Sequence, residues 1–397
     1  MITDNVTLAA APATVAPATR GEREHYAWVD LLRVVACFMV VLSHACDPFV
    51  GQFETDRTAF LSGVAVGSLM RACVPLFVMM TAVVLLPLRQ PAPVGVFYRK
   101  RIGRIALPLL FWSLALPVIM WAYYNFVNPS TANALLSAEA YTVPALTAKL
   151  TTWIWNFNFD TTPLWYLYML VGLYFVIPVI DAWLQSASKS DVRTLLIVWL
   201  CSMLLPWFRM AAPLLGYEGN YGHMGLWGEC DWNPYGMLYY VSGFAGYIVL
   251  AYYMKKWPLT WSAGKMWAVF VPMFAVGYAI TFTGFVTIQN YYPGNYAYLE
   301  IIWYFCGLNV WMMTVSVFAV MQRVKGTSGR WLSKLAGLTF GIYLCHFPFE
   351  YVAYDMLDFA VLPSLVRIFA GAFITFAMAV VVCRVLSIWR PTRHLIA

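Results

Sequence analysis

Apolar segments of about twenty residues recur along the whole chain, and this feature limits the fold more than any other. A bilayer with a hydrocarbon core of about 30 Å needs roughly twenty consecutive apolar residues in each helix that crosses it. The short alternating segments of a transmembrane β-barrel are absent from the sequence. The sequence therefore predicts an all-α polytopic bundle of about ten membrane spans, at roughly 26–46, 64–87, 104–124, 163–183, 192–212, 234–254, 266–286, 300–321, 334–354 and 363–388.

Composition excludes other classes of protein. Of 397 residues, 62% are hydrophobic and only 11% are charged, whereas soluble domains carry roughly 25% charged residues. The eight cysteines include no CxxC pair, so no metal site is expected.

Residues 1–24 are rich in Ala, Thr and Pro and are predicted to be a disordered cytoplasmic tail. Residues 25–390 would form the membrane domain, and 391–397 a short cytoplasmic tail.

The placement of cations predicts the orientation of the spans, because loops on the cytoplasmic side carry an excess of Lys and Arg. The net charge of +7 is therefore interpreted as a topology signal and not as nucleic-acid binding. Opposite loops hold only Arg57 and Lys149 as cations. Both termini are predicted to be cytoplasmic. The same side holds Arg20, Arg23, Arg89, Arg99, Lys100, Arg101, Arg104, Lys189, Arg193, Lys255, Lys256, Lys265, Arg323, Lys325, Arg330, Lys334, Arg384, Arg390 and Arg393.

Three polar residues form a stripe on the first span. Ionisable residues inside a membrane span are costly and usually functional. Arg33 and His44 are eleven residues apart, which places them within about 20° around the helix and about 16 Å apart along it. Asp30 lies about 60° from Arg33 on the same side. The stripe predicts that these residues line a cavity, the alternative being an interfacial Asp30 and Arg33 with His44 at a helix end.

Further cations point to a site for an anionic ligand. Arg71 lies inside the second span and needs a polar partner or a cavity, unless it reaches the interface. The following loop carries Arg99, Lys100, Arg101 and Arg104. This cluster is either a topology signal or a clamp for a phosphorylated cytoplasmic donor, because guanidinium groups match phosphate oxygens in bidentate geometry.

The ninth span carries a second polar face. Tyr343, His346 and Glu350 are spaced i, i+3 and i+7, which places them on one side of a helix. We interpret them as candidate residues for lining a cavity or binding an acceptor. A buried, hydrogen-bonded structural histidine is the alternative for His346.

Several motifs, in order, resemble those of integral-membrane acyltransferase family 3, which includes bacterial O-acetyltransferases of surface glycans. An Arg, ten intervening residues and a His in the first span resemble the signature of that family. Thr81-Ala82 stands where many members have Ser-Gly. The resemblance spans 28–390, and its motifs lie at 30–44, 71–77 (Arg-x-x-Val-Pro-Leu-Phe), 98–108, 164–167 (Leu-Trp-Tyr-Leu) and 340–346 (Phe-Gly-Ile-Tyr-Leu-x-His).

The resemblance implies a membrane O-acyltransferase of the bacterial inner membrane. Its donor would be a cytoplasmic acyl-CoA, most often acetyl-CoA, and its acceptor a hydroxyl of a glycan or glycolipid. No permanently bound cofactor is implied. His44 would be the general base, since an imidazole titrates near working pH. Arg33 would orient the donor or stabilise charge on the thioester oxygen, with Asp30 holding Arg33.

The remaining motif residues receive binding roles on the same basis. Arg71 and the four cations of 99–104 would bind the donor. Trp165 joins the candidates for lining the cavity or binding the acceptor. A transporter or flippase for a lipid-linked sugar is the rival hypothesis, and succinyl transfer to periplasmic glucans is an alternative within the enzyme class. An acyl-enzyme intermediate also stays open.

Overall fold

The computed structural model describes residues 26–88, 93–133, 135–219, 225–230, 233–358 and 362–396. The tail predicted over 1–24 lies outside these residues, as does Arg89. Within the described ranges the chain is all-α, as predicted, and forms no β-strand. Its helices are α1 Ala27–Ala45, α2 Asp47–Val50, α3 Arg57–Leu69, α4 Cys73–Leu85, α5 Val94–Ala122, α6 Val143–Thr152, α7 Trp165–Ser186, α8 Lys189–Ser202, α9 Leu205–Ala211, α10 Ala245–Lys256, α11 Ala263–Tyr291, α12 Tyr296–Trp303, α13 Leu308–Met321, α14 Arg330–Ala336, α15 Thr339–Asp358, α16 Ser364–Leu386 and α17 Arg390–Arg393.

The protein is a polytopic helical membrane bundle. In the described ranges, eight helical segments are long and apolar enough to cross a membrane, and they match eight of the ten predicted spans. The other two predicted spans correspond to α10, which has twelve residues, and to α15. A total of ten crossings requires α10 and α15 to cross the membrane as well, and this stays a prediction.

Helix α15 carries polar side chains inside the bundle, where protein and not lipid surrounds them. Its buried residues include Thr339, His346 and Glu350, and it packs against α1, α5 and α16. The most apolar window of α11, by contrast, is only 22% buried, so most of its surface is left for lipid. A helix in the centre of a bundle can hold polar groups whose partners are other helices.

Contacts between helix ends support the predicted alternation. The Lys255 Nζ donates to the carbonyls of Val83 and Leu86 and lies 5.6 Å from the ring centroid of Tyr26, the residue before α1. The start of α1, the end of α4 and the end of α10 therefore lie together, at what we call the basic end. At the opposite end, Arg57 donates to Asn290.

Two broken helices meet inside the bundle. The chain is interrupted between α3 and α4 at residues 70–72, and between α12 and α13 at 304–307. Arg71 joins the two breaks, because its Nε and Nη2 donate to the Trp303 carbonyl at 3.0 and 2.7 Å. This carbonyl ends α12 and would otherwise lack a partner, which is costly inside a membrane protein.

Candidate active site

A cavity of about 410 Å³ opens near the basic end. This volume is within the range of small-molecule binding sites. Its walls come from α1, α4, α5, α7, the end of α14 and the start of α15, together with one residue that follows α17. Arg33, Arg101 and Arg104 all line it. Three guanidinium groups from two distant parts of the chain therefore face one space.

Asp30 contacts the guanidinium group of Arg33 and holds it in place. The Arg33 Nη1 lies 3.7 Å from Asp30 Oδ1, and Asp30 Oδ2 accepts from the hydroxyls of Ser328 and Ser333, each at 3.0 Å. Asp30 is buried and is not among the residues lining the cavity. Its geometry is that of a positioning residue, which fixes Arg33 and ties α1 to the segment before α15.

The basic loop divides into two pairs. Arg101 and Arg104 line the cavity, whereas Arg99 and Lys100 do not. The loop sequence is in fact the first part of α5, so residues three apart share a face. This periodicity separates the cavity pair from Arg99 and Lys100.

Tyr343 and Tyr166 close the inner end of the large cavity. Both line it, and their rings lie 5.6 Å apart between centroids. The Tyr343 hydroxyl donates to the Pro163 carbonyl, at the turn that begins α7. Beyond Tyr343, the next aromatic neighbour along α15 is His346, at 6.1 Å.

His44 pairs with Asp47, a residue the motif analysis did not select. The His44 Nδ1 lies 2.9 Å from Asp47 Oδ2. Because an ionised carboxylate only accepts, the neutral form of the His44 ring carries its proton on Nδ1 and keeps the Nε2 lone pair. Asp47 is three residues after His44, so i, i+3 spacing is the signal that could have identified it.

His346 has a matching arrangement. It is fully buried, and its ring lies 5.4 Å from that of His44. Its Nδ1 is 2.7 Å from the Tyr343 carbonyl, which can only accept, so Nδ1 carries the proton of the neutral ring. Its Nε2 has no hydrogen-bond partner in the described ranges. Two imidazoles with available Nε2 lone pairs are therefore adjacent.

A second cavity, of about 20 Å³, adjoins His44. This is room for a single water molecule or hydroxyl group. Asn133, Glu350 and Arg367 line it, and each has one buried polar atom without a partner among the described residues: Nδ2, Oε1 and Nε. Unpaired buried polar groups are costly, so this small space is suited to a polar group that binds them.

The structure does not bring every predicted residue to these cavities. Arg71 stacks on Phe305, with its Cζ 4.1 Å from the ring centroid, and Trp165 stacks on the same ring at 5.4 Å. Neither residue lines the large or the small cavity. The neighbour of Trp165 in the same motif, Tyr166, lines the large cavity instead.

Comparison with known proteins then tests the resemblance. The profile of a family described as an acyltransferase domain matches residues 26–384, nearly the whole chain. The chain belongs to acyltransferase family 3. Neither the search of curated proteins nor the search of solved structures gave a match.

Membership identifies this protein as a membrane acyltransferase. It favours the enzyme over the transporter that the sequence left open. In this acyltransferase, Arg33 and His44 of the first-span motif lie on the same helix but line different cavities. The single cavity expected from their stripe is thus two spaces, with Tyr343 and His346 between them.

Proposed function

We propose that this acyltransferase transfers an acetyl group from cytoplasmic acetyl-CoA to a hydroxyl of a cell-surface or lipid-linked glycan, in the bacterial inner membrane. The observation that carries the proposal is the large cavity at the basic end, lined by Arg33, Arg101 and Arg104. An acyl-CoA joins an anionic end to an uncharged acyl-pantetheine arm. The lining of the cavity likewise combines cationic and apolar side chains, which suit the two parts of this donor.

The donor would bind with its phosphates at the basic end. Arg101 and Arg104 begin the wall formed by α5, and guanidinium groups form strong charge-assisted hydrogen bonds to phosphate oxygens. Beyond them the wall becomes apolar, with Phe77, Met80 and Leu170. The pantetheine arm would run along α1, from Arg33 toward Tyr343.

The acceptor would reach His44 from the opposite end. Its hydroxyl oxygen attacks the thioester carbonyl carbon while His44 Nε2 takes the hydroxyl proton. The carbon–sulfur bond breaks, and the CoA thiolate leaves and takes the proton from His44, which restores the neutral imidazole. Asp47 holds the His44 ring in the required tautomer. The small cavity offers one position for the attacking oxygen, with Asn133 and Glu350 at its edge.

The distance between Arg33 and His44 excludes one of the two roles considered for Arg33. About 16 Å of helix lies between them, so they cannot contact the same carbonyl group. We therefore assign Arg33 to orienting the donor, and not to stabilising charge on the thioester oxygen. Tyr343 and His346 stand between the cavities, so transfer requires these side chains to move and let the thioester approach His44.

Purified protein tests the proposal directly. We expect detergent-solubilised protein to bind CoA by calorimetry and to release free CoA slowly from acetyl-CoA, with water as the acceptor. Protein that neither binds CoA nor releases it would contradict the donor assignment. For the acceptor, mass spectrometry of surface glycans should show acetyl groups that are missing from a deletion strain and restored by the wild-type gene but not by His44→Ala.

A further inference from the structure

The segment after α16 returns to the bundle and is anchored there. Residues 391–397 are predicted to form a short cytoplasmic tail, and Ile396 within it is only 3% exposed. The Trp112 Nε1 of α5 donates to the Leu395 carbonyl at 2.9 Å. Within the segment, the Thr392 hydroxyl donates to the Leu386 carbonyl at 2.7 Å, which ties α17 back to the end of α16.

A glycine in α15 makes room for this segment. A methyl group added at Gly341 would lie 2.8 Å from Ile396 Cβ and 2.9 Å from Cys383 Sγ. Such contacts are shorter than side chains tolerate, so Ile396 can pack here because position 341 has no side chain. Gly341 belongs to the Phe-Gly-Ile-Tyr motif, and the close approach of Ile396 is a physical reason for its glycine.

The side chain so placed faces the large cavity. Ile396 lines it together with Arg33, Arg104 and Phe340. Ile396 adds an apolar side chain to a lining that also contains three arginines, which suits a ligand with an uncharged arm next to its anionic end.

We propose that residues 390–396 are part of the donor-binding site, with Ile396 as the wall that contacts the pantetheine arm of CoA. This inference rests on the proposed acyl-CoA donor. It goes beyond that proposal by adding a segment outside the residues matched to the family, which end at 384. Trp112 and Gly341 act as positioning residues, because they hold the segment without lining the cavity.

The test measures CoA and acetyl-CoA binding to purified full-length variants by calorimetry. Ile396→Trp places extra volume in the cavity, and we expect it to weaken the binding of both ligands about tenfold or more. The loss should be equal for the two ligands, since the acetyl group would lie at the other end of the cavity. Ile396→Ala removes part of the wall and should weaken binding about threefold.

The matched control is Ile388→Trp, because Ile388 is 73% exposed and lies in the same part of the chain. It should bind CoA as the wild type does. If a folded Ile396→Trp variant binds CoA normally, the inference is wrong while the proposed donor stands. If Ile396→Trp does not fold, Ile396→Ala decides, and unchanged CoA binding there overturns the inference. Wild-type protein that binds no CoA would overturn the donor assignment and this inference together.

Discussion

The two cavities along α1 differ in size, charge and chemistry. The large cavity measures about 410 Å³ and is lined by three arginines and many apolar side chains. The small one measures about 20 Å³ and is lined by His44, Asp47 and a buried Glu350, with the ring of His346 5.4 Å from that of His44. Fixed cations suit recognition of an anionic ligand, whereas imidazoles suit proton transfer.

This contrast separates binding from chemistry within one motif. Arg33 belongs to the large cavity and His44 to the small one, although both lie on the same face of α1. Variants at the two ends should therefore have different kinetic consequences: donor affinity should depend on the arginines, and the transfer rate on the histidine and its partner.

The largest expected effect follows from removing the base. The amide of the His44→Gln variant has no basic nitrogen to accept the hydroxyl proton. We therefore expect acyl transfer to fall about 100- to 10,000-fold, with CoA affinity unchanged. Initial rates and calorimetry on the same preparation measure both quantities. His223→Gln is the matched control, because His223 lies outside every predicted span. Near wild-type transfer by His44→Gln would refute the assignment and leave His346 as the next candidate.

The next effect should come from the cavity-facing cations. Arg101→Gln combined with Arg104→Gln removes charge-assisted hydrogen bonds worth roughly 1.5–3 kcal/mol each when desolvated. Because both side chains are partly exposed, we expect a loss in CoA affinity of about 10- to 100-fold. The measurement is the dissociation constant for CoA at two salt concentrations.

The same helix provides a control of equal charge. Arg99→Gln with Lys100→Gln also removes two positive charges, but from side chains that do not line the cavity. Its CoA affinity should stay within about twofold of the wild type. Equal losses in the two double variants would mean that general electrostatic attraction, and not the cavity, explains the role of this region.

A smaller loss is expected at Asp47. Asp47→Asn keeps the shape of the side chain but removes the charge that selects the His44 tautomer and stabilises its protonated form. We expect transfer to fall about tenfold, with CoA binding unchanged. Asp56→Asn is a suitable comparison, since Asp56 accepts backbone hydrogen bonds at the start of α3 and asparagine can do the same. An unchanged rate in Asp47→Asn would remove Asp47 from the mechanism.

The smallest effect on function should come from Arg71. Arg71→Lys loses the two-nitrogen contact with the Trp303 carbonyl and the stacking on Phe305. We expect a stability loss of about 1–2 kcal/mol, seen as a lower thermal unfolding midpoint, with CoA affinity within about twofold of the wild type. A selective loss of CoA affinity would instead support the donor-binding role that the motif suggested.

Much of the architecture could be predicted from the sequence, because lipid imposes a simple rule on each segment. An apolar segment of about twenty residues predicts a membrane-spanning helix. Eight of the ten predicted spans are helices of sufficient length and apolar character. The rule is weakest for α15, whose polar face is stabilised by neighbouring helices and not by its own composition. The family was also predicted, since five motifs in order depend on residue type and spacing alone.

The grouping of the site residues depended on tertiary structure. The spacing of Arg33 and His44 indicated one face of a helix, but only packing against α4 and α15 divided that face between two cavities. Asp47 lies just beyond the predicted end of the first span, and the sequence does not show that α1 is followed directly by α2. The contact between Ile396 and Gly341, 55 positions apart, leaves no local pattern in the sequence. Local spacing determines which side of a helix a residue occupies, whereas the neighbours that it meets there are set by long-range packing.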